Sequence, residues 1–271
     1  MKRGKDYIVF ALDVSSAGEA EKYVKILNGK VGMFKIGLEL FIKMGPDIIR
    51  RVKNLTDAGI FLDLKLHDIS ETVKRAMEQV AQLGVDLVTV HLSSSPKMLE
   101  MAVQGAAKSY GEKGVSQFNC CSDVSVSKSM DSQLGVLGVT LLTDHDASVI
   151  ESCGFRDIYV QDIQALVMKR AEIAYFAGCR GVVCSGQEVQ LIKAKFGKEF
   201  LAVTPGIRPV WSIDKEILDK SDDQKRITTP SMAVKAGADL IVVGRPIKRA
   251  KDPALAAEKI ADEIEMNFSV I

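Results

Sequence analysis

Residues 60–69 read Ile60-Phe61-Leu62-Asp63-Leu64-Lys65-Leu66-His67-Asp68-Ile69. An apolar run ends by presenting two carboxylates and one ammonium within six residues. Side chains alternate along a strand, so Asp63 and Lys65 share one face while Leu62 and Leu64 share the other. A strand that is apolar in its body and charged at its C-terminal end fits a parallel sheet buried on both faces. Such a sheet opens to its chemistry at the strand ends.

The same pattern recurs along the chain. Apolar strand-like runs fall at 8–12, 33–36, 60–64, 86–90, 136–142, 181–184, 200–203 and 240–243. Helical segments are expected at 17–27, 38–55, 69–83, 96–108, 163–176, 187–195, 232–236 and 253–266. Within 69–83, Val73, Met77 and Val80 have the spacing of one helix face. Eight strands alternating with helices predict parallel βαβ units closed into a (β/α)8 TIM barrel, an α/β fold forming one catalytic domain over 1–271. A doubly wound open sheet is the competing architecture. Its usual mark is a Gly-rich dinucleotide loop, whereas the first strand here ends Leu12-Asp13-Val14-Ser15. Residues 109–133, SYGEKGVSQFNCCSDVSVSKSMDSQ, are serine-rich and lack clear periodicity. They read as an insertion on the N-terminal side of the fifth strand, the barrel face away from chemistry.

Composition narrows the function. The net charge of +1 lacks the basic excess of a nucleic-acid binder. No apolar run approaches the roughly 20 residues of a membrane span. The charged start, residues 1–6, leads into no signal-peptide pattern, so a cytoplasmic enzyme is expected. Cys120, Cys121, Cys153, Cys179 and Cys184 are odd in number and contain no Cys-x-x-Cys pair, which argues against a disulfide framework or a zinc site.

Barrel chemistry comes from the C-terminal ends of several strands. Those ends offer Asp13, Lys35, the Asp63/Lys65 pair with Asp68 one turn on, His91, Thr140 and Thr143, and Ser185. Asp13, Lys35, Asp63, Lys65 and Asp68 alternate in sign and converge on one opening. A buried charged cluster is weak evidence for stability, so the set reads as functional. The last two loops, Thr204-Pro205-Gly206-Ile207-Arg208-Pro209 and Gly244-Arg245-Pro246, carry glycines for close backbone approach and arginines suited to phosphate. Barrels of this type often bind phosphate in those two loops, so a phosphorylated small molecule is the expected ligand. Residues 211–229 between them have the position of a lid. His91 and His145 read equally well as satisfied strand-end or loop histidines and as catalytic ones, and local geometry does not place His67. No Ser/His/Asp or Cys/His set stands out, and carboxylates interleaved with lysines are poor metal ligands.

These motifs occur in order: Ala11-Leu12-Asp13, Phe34-Lys35-Ile36-Gly37, the 61–69 segment, Gly181-Val182-Val183-Cys184-Ser185, Val203 to Pro209, Asp223-Gln224-Lys225-Arg226, and Val243-Gly244-Arg245-Pro246. The chain resembles the orotidine 5′-phosphate decarboxylase family over nearly its whole length, apart from the insertion. The resemblance implies decarboxylation of orotidine 5′-phosphate to UMP in de novo pyrimidine biosynthesis, with no metal or organic cofactor. It implies a homodimer with active sites shared across the interface. Lys65 is then the proton donor to C6, flanked by Asp63 and by Asp68 of the neighbouring subunit, and Lys35 completes the network. Asp13 and Lys35 hold the ribose hydroxyls, Ile69 and Thr72 approach across the interface, and Thr143 contacts the nucleotide. Pro205 lies in the phosphate loop, Arg208, Arg245 and the Gly244 N–H hold the phosphate, and Gln224 bridges it to the lid.

Two loops depart from the family pattern. Asp68-Ile69-Ser70-Glu71-Thr72 stands where Asp-Ile-Pro-Asn-Thr is usual, and His91-Leu92-Ser93-Ser94-Ser95-Pro96 where His-x-Ser-Gly-Gly is usual. The alternative reading is a magnesium-dependent sibling sharing the Asp-x-Lys-x-x-Asp motif, a sugar-phosphate decarboxylase or hexulose-phosphate synthase. A non-catalytic phosphate-binding barrel is a further one. The 205–209 loop and Gln224 favour the nucleotide enzyme.

Overall fold

The computed structural model describes residues 2–108, 134–212 and 227–266. Its strands are β1 (Ile8–Ala11), β2 (Met33–Gly37), β3 (Gly59–Leu66), β4 (Leu87–His91), β5 (Gly135–Val139), β6 (Gly181–Val183), β7 (Leu201–Thr204) and β8 (Leu240–Val243). Each pairs in parallel with the next, and β8 returns to β1 with Val9 opposite Val242, closing an eight-stranded barrel. The predicted (β/α)8 architecture is therefore the one observed.

The helices are α1 (Ala17–Leu27), α2 (Leu38–Met44), α3 (Asp47–Lys53), α4 (Ser70–Gln82), α5 (Pro96–Lys108), α6 (Ala147–Ser152), α7 (Asp157–Gln161), α8 (Ile163–Phe176), α9 (Val189–Phe196), α10 (Pro230–Lys235), α11 (Arg245–Lys248) and α12 (Pro253–Met266). None of the described helices is long and apolar enough to cross a membrane.

The period-two alternation of the strands makes two cores. Val9, Met33, Phe61, Leu87, Leu137, Leu201, Val203 and Leu240 fill the barrel interior. Phe10, Phe34, Leu62 and Val88 face outward into the larger layer between sheet and helices. Two residues beyond an inward side chain comes the next inward one. Ala11, Lys35, Asp63 and Thr89 therefore stand above Val9, Met33, Phe61 and Leu87. Ala11 lies opposite Lys35, and Lys35 lies opposite Phe61, so Asp63 stands one layer higher, opposite Gly37. The apolar layer is a floor, and polar side chains are what the sequence places on it.

Three elements differ from the sequence expectation. Residues 38–55 form two helices, because Gly45 takes φ 63° and Pro46 follows it. A left-handed glycine ends a helix, and a proline cannot continue one. Strand β5 stops at Val139, short of residue 142, and α6 and α7 follow it, too short to show a helical period. Strand β3 runs on to Leu66 with a shift in register. Leu62 pairs with Val88 and Leu66 with Val90, so four steps of β3 span two of β4. Such a bulge re-aims side chains, and it falls on Asp63-Leu64-Lys65.

The 109–133 insertion, Cys120, Cys121, Gln224 and most of the lid lie outside the described residues. Cys153 is exposed, and Cys179 and Cys184 are buried.

Candidate active site

Four charges form a chain across the C-terminal mouth of the barrel. The Lys35 ammonium lies 3.1 Å from Oδ1 of Asp13 and 3.4 Å from Oδ2 of Asp63. The Lys65 ammonium lies 2.9 Å from Oδ1 of Asp63. The order is Asp13, Lys35, Asp63, Lys65, with signs alternating. Lys35 and Asp63 are the buried middle of the chain, with side chains 11% and 14% exposed.

Burial alone lowers the pKa of a lysine and raises that of an aspartate. At Lys35 the burial effect is outweighed by the charges and hydrogen bonds of Asp63 and Asp13, which hold the ammonium above the usual lysine range. At Asp63 burial is outweighed by the Lys35 and Lys65 charges and by hydrogen bonds from Lys65 and Thr89. Its carboxyl is held below the usual range. Both groups therefore stay charged at neutral pH.

The bulge puts Lys65 in the left-handed region, φ 50°, alone among the described non-glycine residues. That conformation costs an L-residue about 1–2 kcal/mol. It is held by the buried Thr89 of β4. The Lys65 N–H donates to Thr89 Oγ1 at 2.8 Å, and that hydroxyl donates to Asp63 Oδ1 at 2.9 Å. A threonine inside an apolar strand looks like any β-branched strand residue, so the sequence alone does not mark Thr89. In the sequence Gly37 is marked only as the end of a motif. A Cβ there would sit 3.2 Å from the Lys35 ammonium and 3.3 Å from Oδ1 of Asp13, so this glycine leaves the room in which that ion pair forms.

Asp68, Ile69 and Thr72 are exposed at the start of α4. Asp68 Oδ1 accepts from the Ile69 N–H at 2.6 Å, and among the described residues no ion pair joins Asp68 to Lys65. Ile69 is 73% exposed.

The two arginine loops lie beyond β7 and β8. Gly206 takes φ 73°, a turn that favours glycine. Ile207 bridges Thr228, and the Arg208 N–H donates to the Thr228 carbonyl at 2.9 Å, so the start and end of the long 208–228 excursion are tied together. Arg208 is buried, and its guanidinium donates to the Ile207 carbonyl at 3.0 Å. Pro205 is half-buried beside it. Gly244 precedes α11, whose first residue is Arg245. The Lys248 ammonium of that helix donates to the Asp13 carbonyl, joining the α11 loop to the first charge of the chain.

The remaining strand-end candidates divide. Thr143 is half-buried in the loop after β5. Thr140 and Ser185 are buried, and their hydroxyls serve the backbone: Thr140 donates to the Val183 carbonyl, and Ser185 accepts from the Gln187 N–H. The Nδ1 of His91 accepts from the Ser93 N–H. Burial, with the Arg170 charge second, lowers its pKa to about 4, so the ring is neutral at physiological pH. Arg170 is buried and donates to Ser93 Oγ and to the Thr140 carbonyl, pinning the β4 and β5 loops together. Ser95 Oγ accepts from the Met98 N–H and caps α5. Two of the serines in the unusual β4 loop thus have structural partners.

An alternating acid–base chain on the floor of a closed (β/α)8 barrel defines a barrel enzyme of the Asp-x-Lys-x-x-Asp type. The chain belongs to the Orotidine 5′-phosphate decarboxylase / HUMPS family, whose model matches residues 6–260. It is 47% identical to an orotidine 5′-phosphate decarboxylase of Desulfosudis oleivorans over 96% of this chain and 94% of the relative. It is 40% identical to one of Trichlorobacter lovleyi, over 96% and 95%. The crystal structure of orotidine 5′-phosphate decarboxylase from Lactobacillus acidophilus matches with a TM-score of 0.73 and 31% identity. That match covers 95% of this chain and 98% of the other.

Proposed function

We propose that this protein decarboxylates orotidine 5′-phosphate to UMP, with Lys65 as the proton donor. The observation that carries the reading is the Asp13–Lys35–Asp63–Lys65 chain, which ends on an ammonium at the open side of the floor. Loss of carbon dioxide breaks the bond from C6 to the carboxylate carbon and leaves the electron pair on C6. No adjacent carbonyl takes up that charge. A fixed ammonium stabilises it where it develops, because it needs no reorganisation at the moment of reaction. Lys65 then gives its proton to C6 and is left neutral until it is reprotonated from solvent. Asp63 Oδ1 accepts from the ammonium at 2.9 Å and holds it in place beforehand.

In this reading Lys35 and Asp13 hold the ribose hydroxyls, and Thr143 contacts the nucleotide. Arg208, Arg245, Pro205 and the Gly244 N–H take the phosphate, with Gln224 closing over it. Binding energy from the remote phosphate is used to complete the site. Asp68, Ile69 and Thr72 reach the site of a second copy, making a homodimer with shared active sites; the exposure of Ile69 supports that role. The whole chain acts as one catalytic domain in the cytoplasm.

The magnesium-dependent sibling reaction is disfavoured by the donor set. The position between Asp13 and Asp63, where a cation would find two carboxylates, is taken by the Lys35 ammonium. The test is a spectrophotometric assay on orotidine 5′-phosphate in excess EDTA. Turnover is expected to persist. Absence of turnover with or without added magnesium would sink the proposal, and magnesium-dependent turnover of a sugar phosphate by the same protein would favour the sibling.

A further inference from the structure

We infer that Thr89 is a positioning residue for the proton donor; the inference rests on the decarboxylase reading of the site. Its hydroxyl closes a ring in which both ends of one residue reach one carboxylate oxygen. The Lys65 ammonium donates to Asp63 Oδ1 directly at 2.9 Å. The Lys65 backbone N–H reaches the same oxygen through Thr89 Oγ1, over steps of 2.8 and 2.9 Å.

The ring exists because of the bulge. The register shift between Leu62 and Leu66 takes the Lys65 N–H out of the regular ladder, and it donates to a β4 side chain instead of a strand carbonyl. A buried N–H without a partner is costly. A hydroxyl is the small group that can accept from it and donate onward to a carboxylate. Thr89 is fully buried, so water does not compete for either bond. Its β-branch restricts χ1, which fixes the direction of the hydroxyl. The left-handed turn at Lys65, φ 50°, is thereby referenced to Asp63 and not left to relax. Without the hydroxyl, the lysine backbone is free to leave that conformation, and the ammonium moves relative to a substrate held by groups that do not touch Thr89.

The prediction separates chemistry from binding, because the ribose and phosphate groups are untouched. Thr89→Val keeps the shape and removes both bonds. It is expected to lower kcat about 30-fold with KM within about 3-fold, the scale of losing hydrogen bonds to a charged group. Thr89→Ser restores both bonds and is expected to return kcat to within about 3-fold of wild type. Should the valine variant fail to fold, Thr89→Cys, whose thiol is a weak donor and acceptor, is read in its place. Unchanged kcat in the folded valine or cysteine variant overturns the inference. So does an equal loss in Thr89→Ser, since the hydroxyl would then not be the cause. A wild-type protein inactive on orotidine 5′-phosphate defeats the decarboxylase reading instead, and the two failures are told apart by the wild-type assay.

Discussion

The Lys65 ammonium and Asp63 Oδ1 are 2.9 Å apart although the two residues are neighbours in one strand, and a bulge between them turns the lysine backbone into the left-handed region. An ordinary strand already sets these side chains on one face, about 6.6 Å apart along the chain. The bulge turns the lysine backbone beside that carboxylate.

If Lys65 supplies the proton, its removal should be felt in chemistry and hardly in binding. Lys65→Ala is expected to reduce kcat on orotidine 5′-phosphate by about 10³-fold or more, the range of a lost general acid together with lost charge stabilisation. UMP affinity, measured by calorimetry, should change far less, because the phosphate loops are intact.

Asp63 neutralises two ammonium groups, so its loss differs from that of a surface acid. Asp63→Asn leaves Lys35 buried with one acidic partner. It is expected to cost about 3 kcal/mol in urea unfolding. An Asp13→Asn variant, in which the lost partner is more than half exposed, should cost under about 1 kcal/mol.

The pH dependence follows from the two shifts. The folded pKa of Asp63 is depressed, so its contribution is fully present above the unfolded value of about 3.9 and is lost as pH falls through the lower folded value. The folded pKa of Lys35 is raised, so its contribution is fully present below about 10.4 and is lost as pH rises through the higher folded value. The stability difference between wild type and Lys35→Met should therefore be flat from about pH 4 to about pH 10 and shrink outside that window. A slope near pH 7 in parallel urea titrations would contradict the assignment.

Gly37 tests whether the room around Lys35 matters. Its φ is −95°, which any residue adopts, so Gly37→Ala introduces no backbone strain. The added methyl meets the Lys35 ammonium and the Asp13 carboxylate. Displacement by a few tenths of an ångström is expected to lower kcat/KM about 10-fold, with the urea midpoint nearly unchanged.

Much of this was legible in the chain. Asp63 and Lys65 lie on one face because strand side chains alternate, and their outward neighbours Leu62 and Leu64 do pack towards the helices. The break at Gly45-Pro46 is legible in the sequence, although 38–55 is expected there as one helix. Thr89 and Arg170 were not legible. Thr89 stands 24 residues from Lys65, and its hydroxyl gains meaning only when β4 lies beside the bulge in β3. Arg170 sits in a helical segment where an arginine normally faces solvent; burial against the β4 and β5 loops is a tertiary fact.

By itself the sequence determined which side chains could meet. Eight apolar runs alternating with helices point to the barrel, and period-two alternation gives the face of each charge, because alternation depends on local backbone geometry. Only the tertiary structure decided how the charges are joined: that Lys35 bridges two aspartates, that β3 bulges at its lysine, and that a threonine from the next strand holds the bulge. Those depend on register between strands, which is set by packing of the whole barrel and leaves no mark on any one segment.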